Sequence, residues 1–377
     1  MAPPFRFAIL GTRGIPAAYG GFETFAEHLA TRLAARGHDV TVYGRAGNVD
    51  PALDGTLYRG VRLRVLPAPR SKYLETLWHT IRAARVARRE RYDAVLLCNG
   101  ANFAALPLLR ASGARTLLAI DGIESARRKW ALPGRVFHRV AERAGPWLAD
   151  VVVADCEVIR RVYLERGARR VEMIAYGAEP PGERGTGTLR RIGVERRGYV
   201  LYVSRFEPEN NADVVIRAYR AASPPLDLVV VGDAPYADAY KARLRELAAG
   251  DPRIHFPGYV FGAGYEELRA HAALYVQATE VGGTHPALLE AMAAALPVVA
   301  NDIPEHREVL ADTGWYYARN SADDLAARLR DLTSGRVPSA EIAVRAAAAA
   351  RRVAESYDWE KVTTAYEDLV RRLTDRR

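Results

Sequence analysis

The 377-residue sequence has only two cysteines, Cys98 and Cys156, and their spacing matches no metal site. Both lie in apolar surroundings, so the sequence predicts two buried thiols in a reducing, cytoplasmic environment. Long apolar runs are also absent: the longest uncharged stretch, residues 94–109, falls short of the roughly 20 residues that cross a bilayer. No basic leader precedes the first apolar run, so no signal peptide is expected.

Three nucleotide- and metal-binding patterns are missing as well. Neither Gly-x-Gly-x-x-Gly nor Gly-x-x-x-x-Gly-Lys-Ser/Thr occurs, which removes the main support for a dinucleotide cofactor or a P-loop. Asp-x-Asp is also absent, so a metal ion held on a diphosphate by that pair is not indicated. The sequence therefore predicts neither a cofactor nor a bound metal.

Positive charge is concentrated in the first half of the chain. Residues 1–190 carry 30 Lys and Arg against 18 Asp and Glu, a net +12, whereas the remainder carries 24 against 27. This asymmetry favours an anionic partner, such as a phospholipid surface or a phosphorylated acceptor, although solvated arginine-rich faces explain it equally well. Nucleic acid is not expected, because no recognition motif accompanies the charge. One candidate basic patch is Arg82, Arg85, Arg88, Arg89 and Arg91.

Short apolar runs rich in β-branched residues alternate with helical patterns along the chain, which predicts parallel βαβ units and two doubly wound α/β domains. The first domain is expected over residues 1–178 and the second over 199–358. The expected strands are 5–10, 39–43, 63–66, 94–97, 116–120 and 151–153, then 199–203, 226–231, 254–256, 273–276 and 297–300.

Residues 179–198 are expected to be a linker, because they are too rich in Gly, Pro and polar residues to pack as an element. Two helices are expected to close the chain, over 340–357 and 359–373. Whether the last segment, 359–377, packs back on the first domain is left open by its periodicity.

Ligands of open α/β sheets bind at the carboxyl ends of the strands, so the loops that follow predicted strands are the candidate sites. The first such loop, residues 11–21, contains Gly14, Gly20 and Gly21 and opens the first helix. Glycines let the backbone approach a ligand, and a helix N-terminus favours an anion. A tight strand-to-helix turn is the alternative interpretation.

A second loop lies at residues 281–292. Thr284 is expected to cap a helix whose first turn starts with Pro286, which would direct free N–H groups at a phosphate. Glu290 lies inside this apolar helix, where ribose hydroxyls would satisfy its carboxylate; exposure to solvent is the alternative. His285 is expected either to contact the ligand or simply to pack.

Two further loops carry charged side chains. Arg205, in the loop 204–211, is placed to bind a diphosphate through its planar guanidinium, and a surface salt bridge is the alternative. In the loop 121–130, Asp121 and Glu124 precede three cations, which suggests hydroxyl-binding or acid/base groups beside a phosphate-bearing acceptor. An ordinary solvated helix start explains that charge run equally well.

Together these segments resemble the retaining nucleotide-sugar glycosyltransferases of family 4, and look closest to their bacterial rhamnosyltransferase-like branch. The resemblance covers nearly the whole chain and implies two facing Rossmann-like domains of GT-B type with an interdomain cleft. It also implies a nucleotide-diphosphate sugar as donor and a glycan, lipid-linked or small-molecule acceptor. The most specific stretches are residues 11–16 with 19–24, 121–124 with 129–130, 207–211, 231–236 and 280–286.

Carried onto this sequence, the family's pattern places Arg205 on the donor diphosphate and Glu290 on the donor ribose, and both are implied catalytic residues together with Asp121. The other implied donor contacts are Gly20, Gly21, Gly258, Tyr259, Val260, Gly282, Gly283, Thr284 and His285. The acceptor-side candidates are Arg13, Tyr19, Glu124 and Lys129.

The sequence departs from the family at three positions. The family usually has two glutamates flanking seven residues; the first falls here on Gly282, with Glu280 two positions earlier. Asn210 stands where a lysine commonly follows the phosphate-binding arginine by five positions. The frequent cleft histidine falls near Asp121, whose role is therefore left open.

Similar enzymes retain the anomeric configuration, and front-face attack, in which a donor phosphate oxygen takes the acceptor proton, needs no protein base. Arg205 and helix dipoles would then neutralise the leaving group without a metal. The alternative function is a nucleotide-sugar epimerase on the same double-Rossmann plan. The basic first half also fits a peripheral enzyme at the inner membrane face.

Overall fold

A computed structural model describes residues 3–17, 20–69, 75–182, 185–235 and 237–375. The chain divides into two compact units. The first consists of Met1–Ala126, Trp130–Gly177 and Trp359–Arg377, and the second of Arg127–Lys129 and Ala178–Asp358. Each unit is built around its own, mainly parallel, β-sheet.

The elements of the described residues are as follows in chain order. The strands are β1 (Arg6–Leu10), β2 (Asp39–Arg45), β3 (Leu57–Tyr58), β4 (Val61–Leu66), β5 (Ala94–Cys98), β6 (Arg115–Ile120), β7 (Val151–Ala154), β8 (Val171–Met173), β9 (Tyr199–Val203), β10 (Asp227–Val231), β11 (Ile254–Gly258), β12 (Leu274–Gln277), β13 (Val298–Asn301) and β14 (Trp315–Tyr317). The helices are α1 (Gly21–Ala35), α2 (Glu75–Glu90), α3 (Leu106–Arg110), α4 (Leu132–Leu148), α5 (Glu157–Glu165), α6 (Gly187–Ile192), α7 (Ala212–Ala222), α8 (Asp238–Ala248), α9 (Gly262–His271), α10 (Pro286–Ala293), α11 (Pro304–Leu310), α12 (Ala322–Thr333), α13 (Ser339–Ser356) and α14 (Trp359–Thr374).

The sheet of the first unit has the order β3-β4-β2-β1-β5-β6-β7-β8. Its strands pair in parallel except for the short β3, which runs antiparallel to β4. All five residues of β5 are buried, as expected for a central strand covered on both faces. The order reverses between β1 and β5, which makes their carboxyl ends the topological switch point of this unit.

The sheet of the second unit has the order β11-β10-β9-β12-β13-β14, with every pair parallel. Its order reverses between β9 and β12, so a second switch point lies where these two strands end. Both units thus have the Rossmann-like topology that the alternating pattern predicts, and the predicted fold class of two such domains is confirmed.

All eleven predicted strands are present, with ends that differ by at most two residues from those expected. Three strands were missed: β3, β8 and β14. Each has only two or three residues and lies at or next to a sheet edge, so none carries the apolar run on which the predictions depended. The two closing helices are confirmed as α13 and α14.

The expectation that residues 179–198 form no element is wrong, because α6 lies within them. Leu189 is buried, and its N–H donates to the carboxylate of Glu267 on α9 at 2.8 Å. Gly193, with φ of 90°, ends the helix in the left-handed conformation. The helix is held by a partner far along the chain, which a local composition argument does not detect.

The final helix, α14, belongs to the first unit and packs along α1. The ring centroids of Phe25 and Tyr366 are 5.6 Å apart, and Leu369 is fully buried. Arg36 on α1 forms ion pairs with Glu360 at 2.7 Å and with Glu367 at 3.0 Å. None of the described helices combines the length and apolarity needed to cross a membrane.

Candidate functional site

The switch point of the second unit brings two of the predicted loops together. Strands β9 and β12 pair in parallel, so the loops that follow them leave the same edge of the sheet side by side. The loop after β9 carries Arg205, and the loop after β12 leads through Gly282–His285 into α10. These adjacent loops are the candidate site of this unit.

Helix α10 begins with Pro286, as the sequence predicts, but its N-cap residue is His285 rather than Thr284. No side chain accepts a capping hydrogen bond there, so the predicted capping role of Thr284 is wrong. A residue that precedes proline is driven into an extended conformation, and His285 has φ −85° and ψ 115°. Pro286 has no N–H, and two of the next N–H groups of the helix already donate to His285 O, at 3.0 and 3.2 Å. What α10 offers an anion is therefore mainly the positive end of its dipole.

Gly282 allows the His285 ring to fold back over the loop. A Cβ atom on Gly282 would lie 2.4 Å from His285 Cε1, which is closer than any real contact. Gly283 and Thr284, which lie between Gly282 and His285 in the chain, are also buried. The glycine is therefore required by an internal contact, whatever it contributes to ligand binding.

The hydroxyl of Thr279 is the centre of a hydrogen-bond network that the sequence did not reveal. A backbone carbonyl only accepts, so His306 Nδ1 donates to Asn301 O at 2.8 Å, and a neutral His306 must accept at Nε2. Thr279 Oγ1 lies 3.2 Å from that Nε2 and receives the side-chain amide of Gln277 at 2.6 Å.

The same donor count fixes the tautomer of His285. Because the Thr279 proton is committed to His306, His285 Nε2 must donate to Thr279 Oγ1 across 3.0 Å. His285 Nδ1 is then an acceptor, and it has no hydrogen-bond partner among the described residues. The Thr279 hydroxyl thus accepts from Gln277 and His285 and donates to His306. This leaves His285 as a neutral imidazole whose Nδ1 has a lone pair not used by the described residues.

The protonation states agree with this assignment. Burial lowers the pKa of His306 to about 4, and burial also lowers the pKa of His285 well below its usual value. The neighbouring His306 and the charges of Arg127 and Arg205 lower the pKa of His285 further. Both imidazoles are therefore neutral at pH 7.

Glu290 lies on α10 and is partly buried. Its Oε2 accepts a hydrogen bond of 2.6 Å from the Tyr265 hydroxyl, and Arg269 donates to its backbone carbonyl at 3.2 Å. Burial raises the pKa of Glu290, and the nearby Arg269 and the Tyr265 hydrogen bond oppose that rise. The carboxylate is thus anchored on one side, and simple exposure to solvent does not describe it.

Arg205 forms no ion pair within the described part of the chain, so the salt-bridge alternative finds no partner there. Its backbone carbonyl accepts a hydrogen bond of 2.7 Å from the side chain of Asn210. Asn210 stands where the family commonly has lysine, and here its buried amide braces the loop that presents Arg205.

Glu280 and the cations that follow Asp121 meet in the second unit. Arg128 Nε lies 2.6 Å from Glu280 Oε1, and Asn320 Nδ2 also donates to this carboxylate. Arg127 lies 3.8 Å from Glu209, whose fully buried oxygens accept no hydrogen bond among the described residues. Glu280 is therefore held by an arginine and an amide.

Three asparagines, none of them predicted, tie the loops of this edge together. Asn211 donates to Ala278 O at 2.9 Å and to Asn320 Oδ1 at 2.8 Å. Asn301 donates to the same Asn320 oxygen at 2.8 Å, and Asn320 N returns a bond of 2.9 Å to Asn301 Oδ1. Asn211 and Asn320 have positive φ, which asparagine tolerates better than most residues. This network fixes the spacing of the loops after β9, β12, β13 and β14.

The residues expected near the base follow β11, an outer strand of the same sheet. Gly258 ends the strand with φ of 76°, and its carbonyl accepts from Gly232 N at 3.0 Å. The rings of Tyr259 and Phe261 stack with centroids 5.4 Å apart, and Val260 lies between them in the chain. A pair of stacked aromatic rings thus stands at the carboxyl end of β11.

In the first unit, the loop after β1 is tightly packed. A Cβ on Gly14 would lie 2.5 Å from Gly44 Cα, so internal packing requires a glycine at this position. Gly20 and Gly21 open α1, and Arg13 N donates to Glu23 Oε1 at 2.8 Å. Glu23 is a buried carboxylate in the first turn of α1, so an anion bound there would face like charge.

Asp121 follows β6 and lies near the switch point of the first unit. Burial raises the pKa of the Cys98 thiol, and the charges of Glu23 and Asp121 raise it further. Glu124 Oε2 accepts a hydrogen bond of 3.3 Å from Trp130 Nε1. Lys129 belongs to the second unit by its contacts. The acceptor-side candidate Tyr19 lies outside the described residues.

Within the described ranges, no cluster of three or more His, Cys, Asp or Glu side chains is placed to hold a metal ion. Both cysteines are buried, free thiols, as predicted.

Comparison with families and curated proteins gives matches over both halves. Residues 19–180 match the family described as Glycosyltransferase Family 4, and residues 197–334 match the one described as Glycosyl transferases group 1. The chain is 28% identical over 324 residues to the GDP-mannose-dependent alpha-mannosyltransferase of Mycobacterium tuberculosis, with 81% of each protein covered. It is 29% identical over 179 residues to Sulfoquinovosyl transferase SQD2 of Arabidopsis thaliana, covering 46% of this chain but only 33% of that protein. The match thus spans about a third of the plant relative's length.

Among solved structures, sucrose-phosphate synthase from Thermosynechococcus elongatus has a TM-score of 0.83, with 99% of this chain and 100% of that chain covered. The two sequences are 20% identical. The similarity shows the fold, which is the GT-B arrangement of two Rossmann-like domains.

Proposed function

Because this chain belongs to the glycosyltransferase families that match its two halves, group 1 and family 4, we propose that it transfers a sugar from a nucleotide diphosphate to an acceptor hydroxyl. One observation carries the proposal: the loops bearing Arg205 and the N-terminus of α10 leave adjacent strands at the switch point of the second unit. That edge is where open α/β sheets bind nucleotides.

The donor is proposed to bind through three features of this edge. Arg205, which has no ion pair among the described residues, takes the diphosphate through its planar guanidinium. The N-terminus of α10 adds the positive end of the helix dipole beside it. Glu290, anchored by Tyr265, offers its remaining acceptor capacity to the ribose hydroxyls. Tyr259 is proposed to stack on the base.

His285 is proposed to accept a hydroxyl of the donor sugar at Nδ1. Its Nε2 proton is held by Thr279, so Nδ1 is the acceptor, and a neutral ring does not repel Arg205. The backbone of Gly282, Gly283 and Thr284 would bring the sugar and diphosphate against this ring.

The proposed reaction retains configuration and uses no metal. The bond between the anomeric carbon and the phosphate oxygen breaks, the acceptor oxygen bonds to the same face of that carbon, and a donor phosphate oxygen takes the acceptor proton. Arg205 and the α10 dipole stabilise the departing diphosphate. Asp121, with Arg13, Glu124 and Lys129, is proposed to serve the transferred sugar or the acceptor.

The donor sugar is proposed to be a hexose or deoxyhexose. Rhamnose rests on the branch resemblance alone, whereas one of the curated relatives is named as a GDP-mannose-dependent enzyme. Activated rhamnose, GDP-mannose and UDP-glucose should therefore be compared in one panel. The acceptor is proposed to be a glycan or a lipid-linked saccharide.

The test is release of free nucleotide diphosphate from each donor, with and without acceptor, in the presence of EDTA. Thermal stabilisation by UDP, GDP and dTDP identifies the preferred base independently of the acceptor. Acceptor-dependent release from one donor supports transfer. Conversion of a nucleotide sugar without any acceptor would indicate an epimerase instead, and stabilisation by none of the diphosphates would reject the proposed site.

A further inference from the structure

Helix α4 of the first unit exposes a row of large apolar side chains. Leu132 is 71% exposed, Val136 49%, Val140 52% and Trp147 51%, and Phe137 is also exposed. No other described helix exposes as many large hydrophobic residues. Residues four apart share a face of a helix, so the first three form one stripe, and at about 100° per residue Trp147 falls on the same stripe.

Arginines border this apolar stripe. Arg135, Arg139 and Arg143 recur every four residues along one side of it, and all three are exposed. None of the three has an ion pair in the described part of the chain. At the end of the helix, the Arg169 guanidinium lies 4.5 Å from the centroid of the Trp147 ring, which places a further cation beside the stripe.

The opposite face of α4 fixes the helix to the unit. His138, Ala141 and Glu142 are buried there. Glu142 accepts hydrogen bonds of 2.8 Å from Ser125 N and of 2.7 Å from Arg166. The apolar stripe is therefore the outward face of a well-anchored helix rather than part of a detached segment.

We propose that this outward face of α4 binds the surface of an anionic phospholipid bilayer, with the helix lying parallel to the membrane plane. Apolar side chains would enter the boundary between headgroups and acyl chains, and the bordering arginines would meet the phosphates. Charge complementarity selects this occupant, since arginines without an ion pair among the described residues line the stripe and residues 1–190 carry a net +12. The proposal goes beyond sugar transfer and does not depend on it.

The basic patch on α2 provides an internal contrast. Arg85, Arg88 and Arg89 are exposed there as well, but Val86 and Ala87 between them are partly buried and buried, and Trp78 is the one large hydrophobic residue that α2 exposes. An interfacial helix needs both an apolar face and cations, so α4 is the stronger site and α2 a matched control for charge alone.

Co-sedimentation with vesicles tests the proposal, using phosphatidylcholine alone and phosphatidylcholine with a quarter of phosphatidylglycerol. The R135Q/R139Q/R143Q variant should partition about 100-fold less onto the anionic vesicles, because each basic residue near such a surface contributes about fivefold. The R85Q/R88Q/R89Q variant removes the same charge from α2 and should lose far less. V136S/V140S, which keeps every charge, should also bind more weakly.

Depth is measured by quenching of tryptophan fluorescence with brominated lipid. Trp147→Phe should abolish most of the quenching, whereas Trp78→Phe, which removes an exposed tryptophan of α2, should not. Circular dichroism checks that each surface variant remains folded.

Four outcomes overturn the proposal. These are no preference of the native protein for anionic vesicles, equal losses in the α2 and α4 arginine variants, quenching that persists without Trp147, and a stable dimer that V136S/V140S dissociates. The last would show that a second copy covers the stripe. None of them bears on nucleotide release, so the proposed transfer is tested separately.

Discussion

The Thr279 hydroxyl joins three side chains, and its removal is the most informative single change in the second unit. Thr279→Val keeps the shape of the side chain but removes one donor and two acceptor contacts. Gln277 Nε2 loses a bond of 2.6 Å, His285 Nε2 one of 3.0 Å and His306 Nε2 one of 3.2 Å. All three side chains therefore lose the hydrogen bond that they make with this hydroxyl.

The expected loss of stability follows from the burial of those partners. Gln277 and His306 are at most 3% exposed and cannot turn to water, whereas the partly exposed His285 can. Leaving a buried polar group unsatisfied costs about 1–3 kcal/mol, so two such groups give a loss of about 3 kcal/mol. For a unit of this size, a change of 1 kcal/mol moves Tm by about 2–4 °C, and Tm should fall by about 6–12 °C.

Calorimetry of the native protein, Thr279→Val and Thr279→Ser measures this difference, with serine as the control that retains the hydroxyl. Long-range ¹H–¹⁵N spectra of the imidazoles report the tautomers directly. The native protein should show the proton of His285 on Nε2 and that of His306 on Nδ1, and the valine variant should lose the fixed tautomer of His285.

Equal Tm values for the valine and serine variants would refute the network. So would a native spectrum with the His285 proton on Nδ1, because the free lone pair would then belong to the other nitrogen. In that case His285 could not accept a sugar hydroxyl in the proposed way.

Three further predictions concern single side chains. Arg205→Ala should lower kcat by about 100-fold or more, because it removes the cation proposed to stabilise the leaving diphosphate; near-normal turnover would show that another group does so. Glu290→Gln removes the charged acceptor proposed for the ribose hydroxyls, so it should weaken binding of the nucleoside diphosphate by about 10-fold or more in titration calorimetry. Unchanged affinity would exclude that role. Burial would raise the pKa of Glu367, but hydrogen bonds from Arg371 and Arg36 outweigh it and lower the pKa to about 2. The carboxylate therefore stabilises the fold fully above about pH 4.5 and progressively less as the pH falls toward 2. Glu367→Gln should lower Tm at pH 6 and make Tm decline less steeply as the pH falls below about 4.5. An unchanged dependence of Tm on acid pH would contradict this.

Strand positions were predictable because a strand buried on both faces in a parallel sheet must be an almost continuous apolar run. The same reasoning located the loops, since each follows the end of such a run. This reasoning correctly placed Arg205 two residues after the end of β9 and Pro286 at the start of α10. Residues close in the chain determine where a strand ends or a helix begins, so the local sequence is enough to predict these features.

The polar network was not predictable in the same way. Asn211 and Asn320 come from separate loops and Asn301 ends β13, and their amides pair only because the parallel strands end at one edge. The sequence showed that Asn211 belongs to a distinctive motif, but nothing identified its partners. The Arg128–Glu280 pair was hidden for the same reason, so cations expected beside an acceptor are engaged by carboxylates of the second unit.

The departure from the family at position 282 acquires a physical explanation only in three dimensions. The His285 ring occupies the space that any Cβ at position 282 would need, with Cε1 2.4 Å from that atom. A glutamate at 282 and the observed position of His285 therefore exclude each other. Glu280, two positions earlier, is paired with Arg128 at 2.6 Å. The absence of the first glutamate and the folded-back His285 ring are thus linked by one steric constraint. Under the proposed function, the imidazole is an uncharged acceptor where the family usually has an anionic one.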